Sequence, residues 1–351
     1  MSRLSLLFMK LLKVCGVSIL LLLAVVAVVF AAASIGTVPI PLEEVWTILL
    51  SSIGLADASQ VASVSQVAIL ELRLPRILMS LLAGASLSMC GVVFQSIFRN
   101  PICDPYILGV SSGASIGAAL AFVLGFDALI FGVTGMAFLS ALLTLLFIFL
   151  VAGRQRTGTT QTILLTGVAV NFLISAILTL LMVLNQQEMQ KIFFWTMGSL
   201  SNCQLSYIPH IALFFLVAVI VLLGYSKDLN LIQLGDKSAQ TLGVNVRWVS
   251  IFLLVITSLI IAGIVSLCGV IGFIGLIIPN LARIIWGNDV RKLLVASLFL
   301  GAFFLLLADT LARVLSPFSE LPVGSITALV GATVNKFIFL RHQFLFFLFR
   351  H

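Results

Sequence analysis

The chain has 351 residues, of which 61% are hydrophobic and only 9% are charged. A soluble domain carries about 25% charged residues, so this composition excludes a soluble enzyme, a nucleic-acid-binding domain and a disordered chain. It predicts one polytopic all-α membrane domain over residues 1–351. The net charge of +7 points first to topology, because basic residues collect on the cytoplasmic side of membrane helices.

The first apolar run, from Val14 to Ala33, follows three basic residues and resembles a signal peptide. It has about 20 residues, however, whereas the apolar core of a signal peptide has ~7–15. A run of this length suits one membrane span. We therefore expect a first transmembrane helix near residues 12–34.

Apolar runs bounded by charges or by Pro and Gly clusters predict about ten transmembrane helices. Two boundaries have weak signals, one at Gly125 to Asp127 and one at Ser266 to Gly269. The expected spans are 12–34, 77–97, 109–126, 128–152, 162–186, 206–225, 248–267, 269–285, 293–314 and 322–340.

The distribution of basic residues sets the expected orientation. With the N-terminus in the cytoplasm, all but four of the 19 Lys and Arg residues fall inside. The four outside are Arg73, Arg76, Lys191 and Arg313. An even number of spans places both basic termini in the cytoplasm, as the positive-inside rule favours.

Two connections are longer than the others. Residues 35–72 form an acidic loop on the outside, with Glu43, Glu44, Asp57 and Glu71. Residues 226–247 form the longest internal loop. No sequence pattern of a phosphate-binding loop, a zinc protease or a serine hydrolase occurs. The five cysteines form no CxxC pair, so neither a disulfide framework nor a metal site is expected. We also expect no cofactor bound by this chain.

Six motifs carry a resemblance to a known family. Together they resemble the permease subunit of the vitamin B12, ferric-siderophore and haem class of ABC importers, over about residues 70–340. One departure is Asn280, where the family usually has His after the proline. The motifs are Leu72 to Arg76, Phe98 to Ala114, Trp195 to Leu200, Leu234 to Val244, Gly272 to Pro279, and Ala308 to Gly324.

The resemblance implies a type II importer of the inner membrane with ten helices in each permease. A second permease subunit, expected to be an identical chain, would pair with it around a central pathway. Two ATPase subunits carrying ATP and Mg would sit on the cytoplasmic side, and a periplasmic binding protein would dock outside. The implied cargo is an iron chelate such as a siderophore, haem or vitamin B12, with small oxyanions left open.

Three arginines are candidates for docking the binding protein: Arg73, Arg76 and Arg313. In the family, arginines at these positions meet acidic residues on the two lobes of the binding protein, and such charge complementarity steers docking. Snorkelling arginines that fix helix depth are the alternative. For Arg313, an internal ion pair with Asp309, four residues earlier, is a second alternative.

The internal loop resembles the coupling helices that contact the ATPase. Gly235 would end the preceding helix, Asp236 would cap a short new helix, and Gly243 would end it in a left-handed conformation. Ala239 and Leu242 would give that helix a small apolar face for the partner. A polar loop without a partner is the alternative.

A polar stripe on the fifth span is the candidate pathway lining. Asn171, Ser175 and Thr179 recur every four residues, and Thr160 lies about three turns before Asn171 on the same face. Thr160 and Gln161 stand where the family has its cytoplasmic gate. Hydrogen bonding between helices is the alternative for the stripe.

On the second span, small and polar residues share one helix face. Close helix packing is the simplest interpretation, but Gln95 is large enough to face the pathway. The residues of this face are Ser80, Gly84, Ser88, Gly91 and Gln95.

Two other classes of protein are weighed against the importer. An ion-coupled secondary transporter requires an ionisable residue inside the membrane, and Asp309 is the one acidic candidate in the predicted spans. An intramembrane enzyme requires a catalytic constellation that the sequence does not offer. ATP hydrolysis is therefore expected on a separate subunit.

Overall fold

A computed structural model describes residues 26–334, except 37, 53, 56, 58–60, 130, 154–159 and 316–320. This part of the chain is helical and contains no β-strand. The helices are α1 (26–34), α2 (Leu42–Ser52), α3 (Ser63–Val67), α4 (Leu74–Phe98), α5 (Val110–Val123), α6 (Gly132–Gly153), α7 (Thr160–Leu184), α8 (Met189–Thr196), α9 (Ile208–Gly224), α10 (Ser226–Gln233), α11 (Asp236–Thr241), α12 (Val246–Cys268), α13 (Ile274–Trp286), α14 (Val290–Leu315) and α15 (Val323–Val334).

Helix α4 is the centre of the bundle and is buried along most of its length. Small residues let its neighbours approach closely. A Cβ on Gly84 would lie 2.2 Å from the Gly301 carbonyl of α14, and a Cβ on Gly91 would lie 1.9 Å from the Gly275 carbonyl of α13. The Ser88 hydroxyl donates to the Ser297 carbonyl at 2.7 Å. The close packing predicted for this face of the second span is therefore confirmed.

Among the residues that the structure describes, six helical segments are long and apolar enough to cross a membrane, namely Ser63–Phe98, Gly132–Gly153, Gln161–Leu184, Leu205–Gly224, Val246–Cys268 and Val290–Leu315. Helices α5, α13 and α15 are apolar but shorter. The apolar part of Ser63–Phe98 is 83% buried, whereas that of Leu205–Gly224 is 11% buried. Exposed apolar side chains on α6, α7 and α9 thus form the periphery, which in a membrane protein faces lipid or a partner.

Each predicted span overlaps a helix, although only residues 26–34 of the first span and 323–334 of the last are described. Both weak boundaries are present. Gly125 has a φ of 72° and a 3-10 turn at Phe126–Ala128 separates α5 from α6. A non-helical stretch over residues 269–273 separates α12 from α13.

The two long connections contain more regular structure than the sequence suggested. The loop predicted at 35–72 includes α2, α3 and a π-helical segment, Ala68–Arg73, that runs directly into α4. The segment 226–247 contains α10 and α11. Hydropathy misses these helices because they are short and amphipathic rather than uniformly apolar.

Two chain segments meet inside the bundle and fix where α5 and α13 begin. The Asp104 side chain accepts a hydrogen bond from Tyr106 N at 2.8 Å and starts a 3-10 turn, Pro105–Leu108, before α5. The Tyr106 hydroxyl donates to the Ile271 carbonyl at 2.9 Å. It also accepts from Ile271 N at 3.3 Å, so the two non-helical stretches hold each other by backbone groups that would otherwise be unsatisfied.

Candidate translocation and partner-contact sites

At one end of the bundle, here called the Asp309 end, two arginines share a buried carboxylate. Arg76 Nε lies 2.6 Å from Asp309 Oδ1, and Arg313 Nε lies 3.2 Å from Asp309 Oδ2. Asp309 is fully buried, and Arg76 and Arg313 are 5% and 9% exposed. The Arg313 guanidinium also donates to the Ala32 carbonyl at 3.1 Å. This cluster joins α4, α14 and the end of α1.

Arg73 also bonds to backbone carbonyls, at the end of α1 and in the turn after it. It is 7% exposed, and its guanidinium donates to the carbonyls of Ala33 at 2.5 Å, of Ser34 at 3.1 Å and of Val38. Gly36 lies against the same guanidinium, where a Cβ would be 2.8 Å from the terminal nitrogen. The end of α1 and the turn after it are therefore wrapped around Arg73.

The structure thus brings Arg73, Arg76 and Arg313 to the same end of the molecule but turns their guanidiniums inward. The internal ion pair considered for Arg313 is present, and Arg76 joins it. Docking by these arginines stays a prediction. The geometry adds that a partner could reach them only after their internal bonds have been released.

At the opposite end, here called the Asp236 end, the short helix α11 packs against α10 and α12, and an ion pair links it to the end of α4. Arg99 has a φ of 51° and ends α4, and its guanidinium lies 3.0 Å from Asp236 Oδ1. Gly235 and Gly243 flank α11 with φ values of 113° and 89°. The predicted left-handed Gly243 is therefore confirmed, as is the helix break at Gly235.

Two local predictions for α11 are wrong. Gly235 is the N-cap and makes no side-chain cap. Asp236 instead occupies the first turn and pairs with Arg99. Ala239 is fully buried against the protein, so it cannot contribute to an exposed face, whereas Leu242 is 61% exposed. Leu234, just before α11, is also exposed, so Leu234 and Leu242 are the exposed leucines that flank α11.

Polar side chains of α5 and α7 line a cavity of about 530 Å³ beside the Tyr106 turn. Asn171 links α7 to α5 in this wall, because its Oδ1 accepts a hydrogen bond from the Ser112 hydroxyl at 2.6 Å. Its Nδ2 donates to the carbonyls of Tyr106 and Ile107 at 3.3 and 3.2 Å. The polar residues of the wall are Asp104, Tyr106, Ser111, Ser112, Ser115, Asn171, Ser175 and Thr196.

The predicted stripe is divided by the structure. Asn171 and Ser175 line the cavity, whereas Thr179 is exposed further along α7 and donates to the Ser175 carbonyl at 2.9 Å. Gln161 is exposed at the start of α7. Thr160 is the first residue of that helix, and its side chain is outside the described part of the structure.

Gln95 is placed away from the cavity. It is buried between α4 and α13, where its Nε2 donates to the carbonyls of Gly275 and Leu276 and its Oε1 accepts from Arg283 at 2.9 Å. Asn280 also accepts from Arg283, at 2.8 Å, and donates to the Pro101 carbonyl at 2.9 Å. Gln95 therefore secures α13 rather than facing an open space.

Several residues of this arrangement were missed by the sequence interpretation. Ser112, Tyr106 and Arg283 lie in or next to the recognised motifs, and that position is the one signal that could have singled them out. Phe273 was missed as well. It has a φ of 70° and is the residue before α13, a conformation that is uncommon without glycine. Within the described residues, no group of three or more His, Cys, Asp or Glu is placed to hold a metal ion.

The sequence of this chain is similar to those of known transport proteins. The sequence profile of the FecCD transport family matches residues 21–341. The chain belongs to the FecCD transport family. The chain is 39% identical over 280 residues to the hemin transport system permease protein HmuU of Yersinia pestis, covering 78% of this chain and 83% of that protein. It is 40% identical over 272 residues to the cobalamin import system permease protein BtuC of Halobacterium salinarum, covering 78% and 73%.

The fold agrees with a solved structure. An inward-facing structure of a metal-chelate type ABC transporter matches with a TM-score of 0.81 and 31% identity, covering 93% of this chain and 99% of that one. The chain is accordingly a permease of an ABC importer and a multi-pass protein of the inner membrane. Members of this family are transport permeases whose ATPase is a separate subunit.

Proposed function

We propose that this permease moves an iron chelate such as a siderophore, or a related bulky cofactor such as haem or vitamin B12, from the periplasm to the cytoplasm. A second copy of the chain would complete the pathway. The observation that supports the proposal best is the cavity wall centred on Asn171. Hydroxyl and amide groups in a membrane helix are costly against lipid, but they suit a pathway through which a polar cargo passes.

The chemistry of the wall favours a bulky neutral or anionic chelate over a bare ion. The polar groups are mainly hydroxyls and an amide, and the Asp104 carboxylate in the same wall already accepts the Tyr106 backbone. A cavity of about 530 Å³ lies within the ~300–1,000 Å³ of ordinary ligand sites. Two facing copies of the chain would enclose a larger volume. Similar proteins carry names of hemin, cobalamin and iron chelatin permeases, which supports this class of cargo.

We infer ten membrane spans with both termini in the cytoplasm, so that the Asp309 end faces the periplasm and the Asp236 end faces the cytoplasm. The imbalance of basic residues supports this orientation. So does the continuity of α10 and α11 with the ends of α4 and α9, since these short helices cover the end at which a cytoplasmic ATPase would bind.

At the cytoplasmic end, we propose that the segment 226–247 couples the permease to the ATPase. Leu234 and Leu242 offer exposed apolar contacts beside α11, and α11 itself packs against α10 and α12. The Arg99–Asp236 pair links the start of α11 to the residue that ends α4, and α10 packs against α4. A displacement of α11 by the ATPase would therefore reach the central helix through α10. Replacing Leu242 by Asp should abolish transport and ATPase binding, whereas Leu205→Asp, an exposed leucine between α8 and α9, should leave ATPase binding intact.

At the periplasmic end, we propose that Arg73, Arg76 and Arg313 contribute to binding-protein docking by holding the docking surface in place. Their internal bonds hold the backbone carbonyls of Ala32, Ala33 and Val38. Direct contact with acidic residues of the binding protein would need these bonds to open.

The decisive experiment is transport by the permease reconstituted in proteoliposomes with its ATPase and binding protein. Uptake should require ATP and should not follow a proton gradient. Uptake that persisted without ATP and responded to a proton gradient would favour an ion-coupled transporter instead. Mass spectrometry of the ligand that co-purifies with the binding protein would identify the cargo.

A variant pair tests the cavity. Asn171→Leu removes the amide that joins α7 to the Tyr106 turn, and it should reduce uptake strongly while ATP hydrolysis continues. Asn185→Leu is the matched control, because Asn185 on the same chain segment donates only to the nearby Leu181 carbonyl among the bonds described. Equal uptake by the two variants would contradict a role of the Asn171 wall in the pathway.

A further inference from the structure

Two cysteines from distant parts of the sequence meet at the Asp309 end of the bundle. Cys203 lies in the turn between α8 and α9, and Cys268 is the last residue of α12. The turn that carries Cys203 is hydrogen-bonded to the backbone of Cys268, so the two residues lie next to each other. Both are thiols in this structure.

The backbone around the two cysteines holds them together independently of the thiols. Ser199 N donates to the Cys268 carbonyl at 2.8 Å, and Cys203 N donates to the Leu200 carbonyl at 3.3 Å, which closes the turn. Gly269 follows Cys268 with a φ of 68°, and a Cβ there would lie 2.3 Å from the Trp195 carbonyl. The turn and the end of α12 are therefore packed at backbone contact.

Reagents from solvent have a route to the pair. Cys268 lines a cavity of about 550 Å³ together with Asn202 and Gln204, the two sequence neighbours of Cys203. The rim carries the ion pair of Lys191 with Asp127, whose side chains are 51% and 33% exposed. Cys203 itself is half-buried, whereas Cys90 and Cys103 are buried elsewhere in the core.

We propose that Cys203 and Cys268 form a reversible disulfide that staples the α8–α9 turn to the end of α12. The orientation proposed above places this pair on the periplasmic side, where disulfides form and persist, so the physiological part of the inference rests on that orientation. The oxidant is a small-molecule or protein disulfide. The Cys203 thiolate attacks one sulfur of the oxidant and expels the other as a thiol. The Cys268 thiolate then attacks the Cys203 sulfur and expels the second thiol, so two protein thiols become one disulfide and one oxidant disulfide becomes two thiols.

The position of the staple gives it a functional consequence. The residues after Cys268 form the non-helical stretch that leads to α13, and Ile271 in that stretch is bonded to Tyr106 beside the cavity wall. Gly198 and Gly324 pack on the Val270 carbonyl, where Cβ atoms would lie 2.4 and 2.8 Å away. A disulfide at Cys268 would fix the point where these segments meet, and it should slow any transport step in which α12 and α8 move apart.

The test starts with the purified permease in lipid nanodiscs, treated with oxidised glutathione. We expect a loss of two thiols by maleimide counting after denaturation, with a Cys203–Cys268 linked peptide in the digest. In Cys203→Ser and Cys268→Ser the linked peptide should be missing, while Cys103→Ser, the matched control, should keep it. A native protein in which Cys203 is alkylated or glutathionylated but never linked to Cys268 would overturn the proposal.

Transport and orientation are measured separately. In proteoliposomes with ATPase and binding protein, oxidation should slow uptake several-fold, reversibly by dithiothreitol, and the Cys203→Ser, Cys268→Ser double variant should be insensitive. Oxidation that links the cysteines without slowing uptake would overturn the proposed consequence. In spheroplasts, a membrane-impermeant maleimide should label Cys203 and not react in Cys203→Ser. Labelling only after lysis, with the linked peptide still forming in nanodiscs, would contradict the proposed orientation and leave the pairing intact.

Discussion

The two ends of the bundle use charge in opposite ways. At the Asp309 end, one carboxylate and two guanidiniums are withdrawn from solvent and bonded to one another. At the Asp236 end, the Arg99–Asp236 pair remains 40% and 49% exposed. Breaking a buried pair leaves an uncompensated charge, whereas exposed pairs contribute little. The Asp309 cluster is therefore expected to be essential for the stability of its end of the bundle, whereas the Arg99–Asp236 pair should contribute little to stability.

The largest effect is expected from Asp309→Asn. It leaves two buried guanidiniums without their carboxylate, and removing one partner of a buried ion pair costs about 3–5 kcal/mol. The thermal midpoint of the purified permease should fall sharply. The triple variant Arg76→Met, Asp309→Leu, Arg313→Met should recover much of this loss, because no unpaired charge remains buried. A single Asn variant as stable as the native protein would remove the contrast between the two ends.

A smaller effect is expected from Arg73→Met, which keeps most of the apolar stem but leaves three backbone carbonyls without their donor. Hydrogen bonds from charged groups contribute about 1.5–3 kcal/mol each, and water can replace some of them here. The turn after α1 should become sensitive to limited proteolysis, while the thermal midpoint falls less than in Asp309→Asn. Arg73→Lys should protect the turn only partly, because a lysine lacks the forked geometry.

At the opposite end, Asp236→Asn should change the free energy of unfolding by about 0–1 kcal/mol, as is typical of exposed pairs. Denaturation curves in detergent at low and high salt measure this difference, and salt should reduce it further. Arg99→Gln should behave in the same way. A loss of stability as large as that of Asp309→Asn would show that α11 is an integral part of the core rather than a surface element.

The smallest effect is expected on the pKa of Asp127, which lies at the rim of the cavity that Cys268 lines. The Lys191 ammonium bonded to Asp127 lowers the pKa of that carboxyl below its usual 3.8, and the hydrogen bonds to Asp127 and Glu188 raise the pKa of Lys191. The carboxylate's contribution is thus present above pH 3.8 and is lost as pH falls through the lower folded value. In Lys191→Gln, NMR titration of Asp127 should give a midpoint back near 3.8, whereas Lys191→Arg should keep it low.

Hydropathy and charge predicted the order of the helices well, because both depend on the average composition of a span. The turn at Gly125 was predicted from the segment Gly125 to Asp127, and the family from six motifs in order. What remained hidden was the partner of each polar group. Asp309 could be paired with Arg313 by helix spacing, but Arg76 lies 233 positions away, and nothing in the sequence relates the two.

The candidate site shows the same limit. The polar face of α7 was predicted, and the structure divides it into Asn171 and Ser175 in the cavity wall and Thr179 beyond it. Gln95 shared a helix face with small residues, but which neighbour covered that face was unknown. Because α13 covers it, the amide is bonded inside the protein. Periodicity identifies the polar faces of helices, but only the packing decides which of these faces line a cavity and which are covered by another helix.

The contact between Gly91 and Gly275 restricts how this sequence can change over evolution. A Cβ on Gly91 would strike the Gly275 carbonyl, and a Cβ on Gly275 would lie 2.5 Å from the Pro105 ring and 3.0 Å from the Leu87 carbonyl. All the obstacles at Gly91 are backbone atoms of α13, so no side-chain substitution elsewhere makes room for a larger residue there. Gly91 can therefore be replaced only if α4 and α13 move apart, which ties the evolution of this position to that of the whole helix contact.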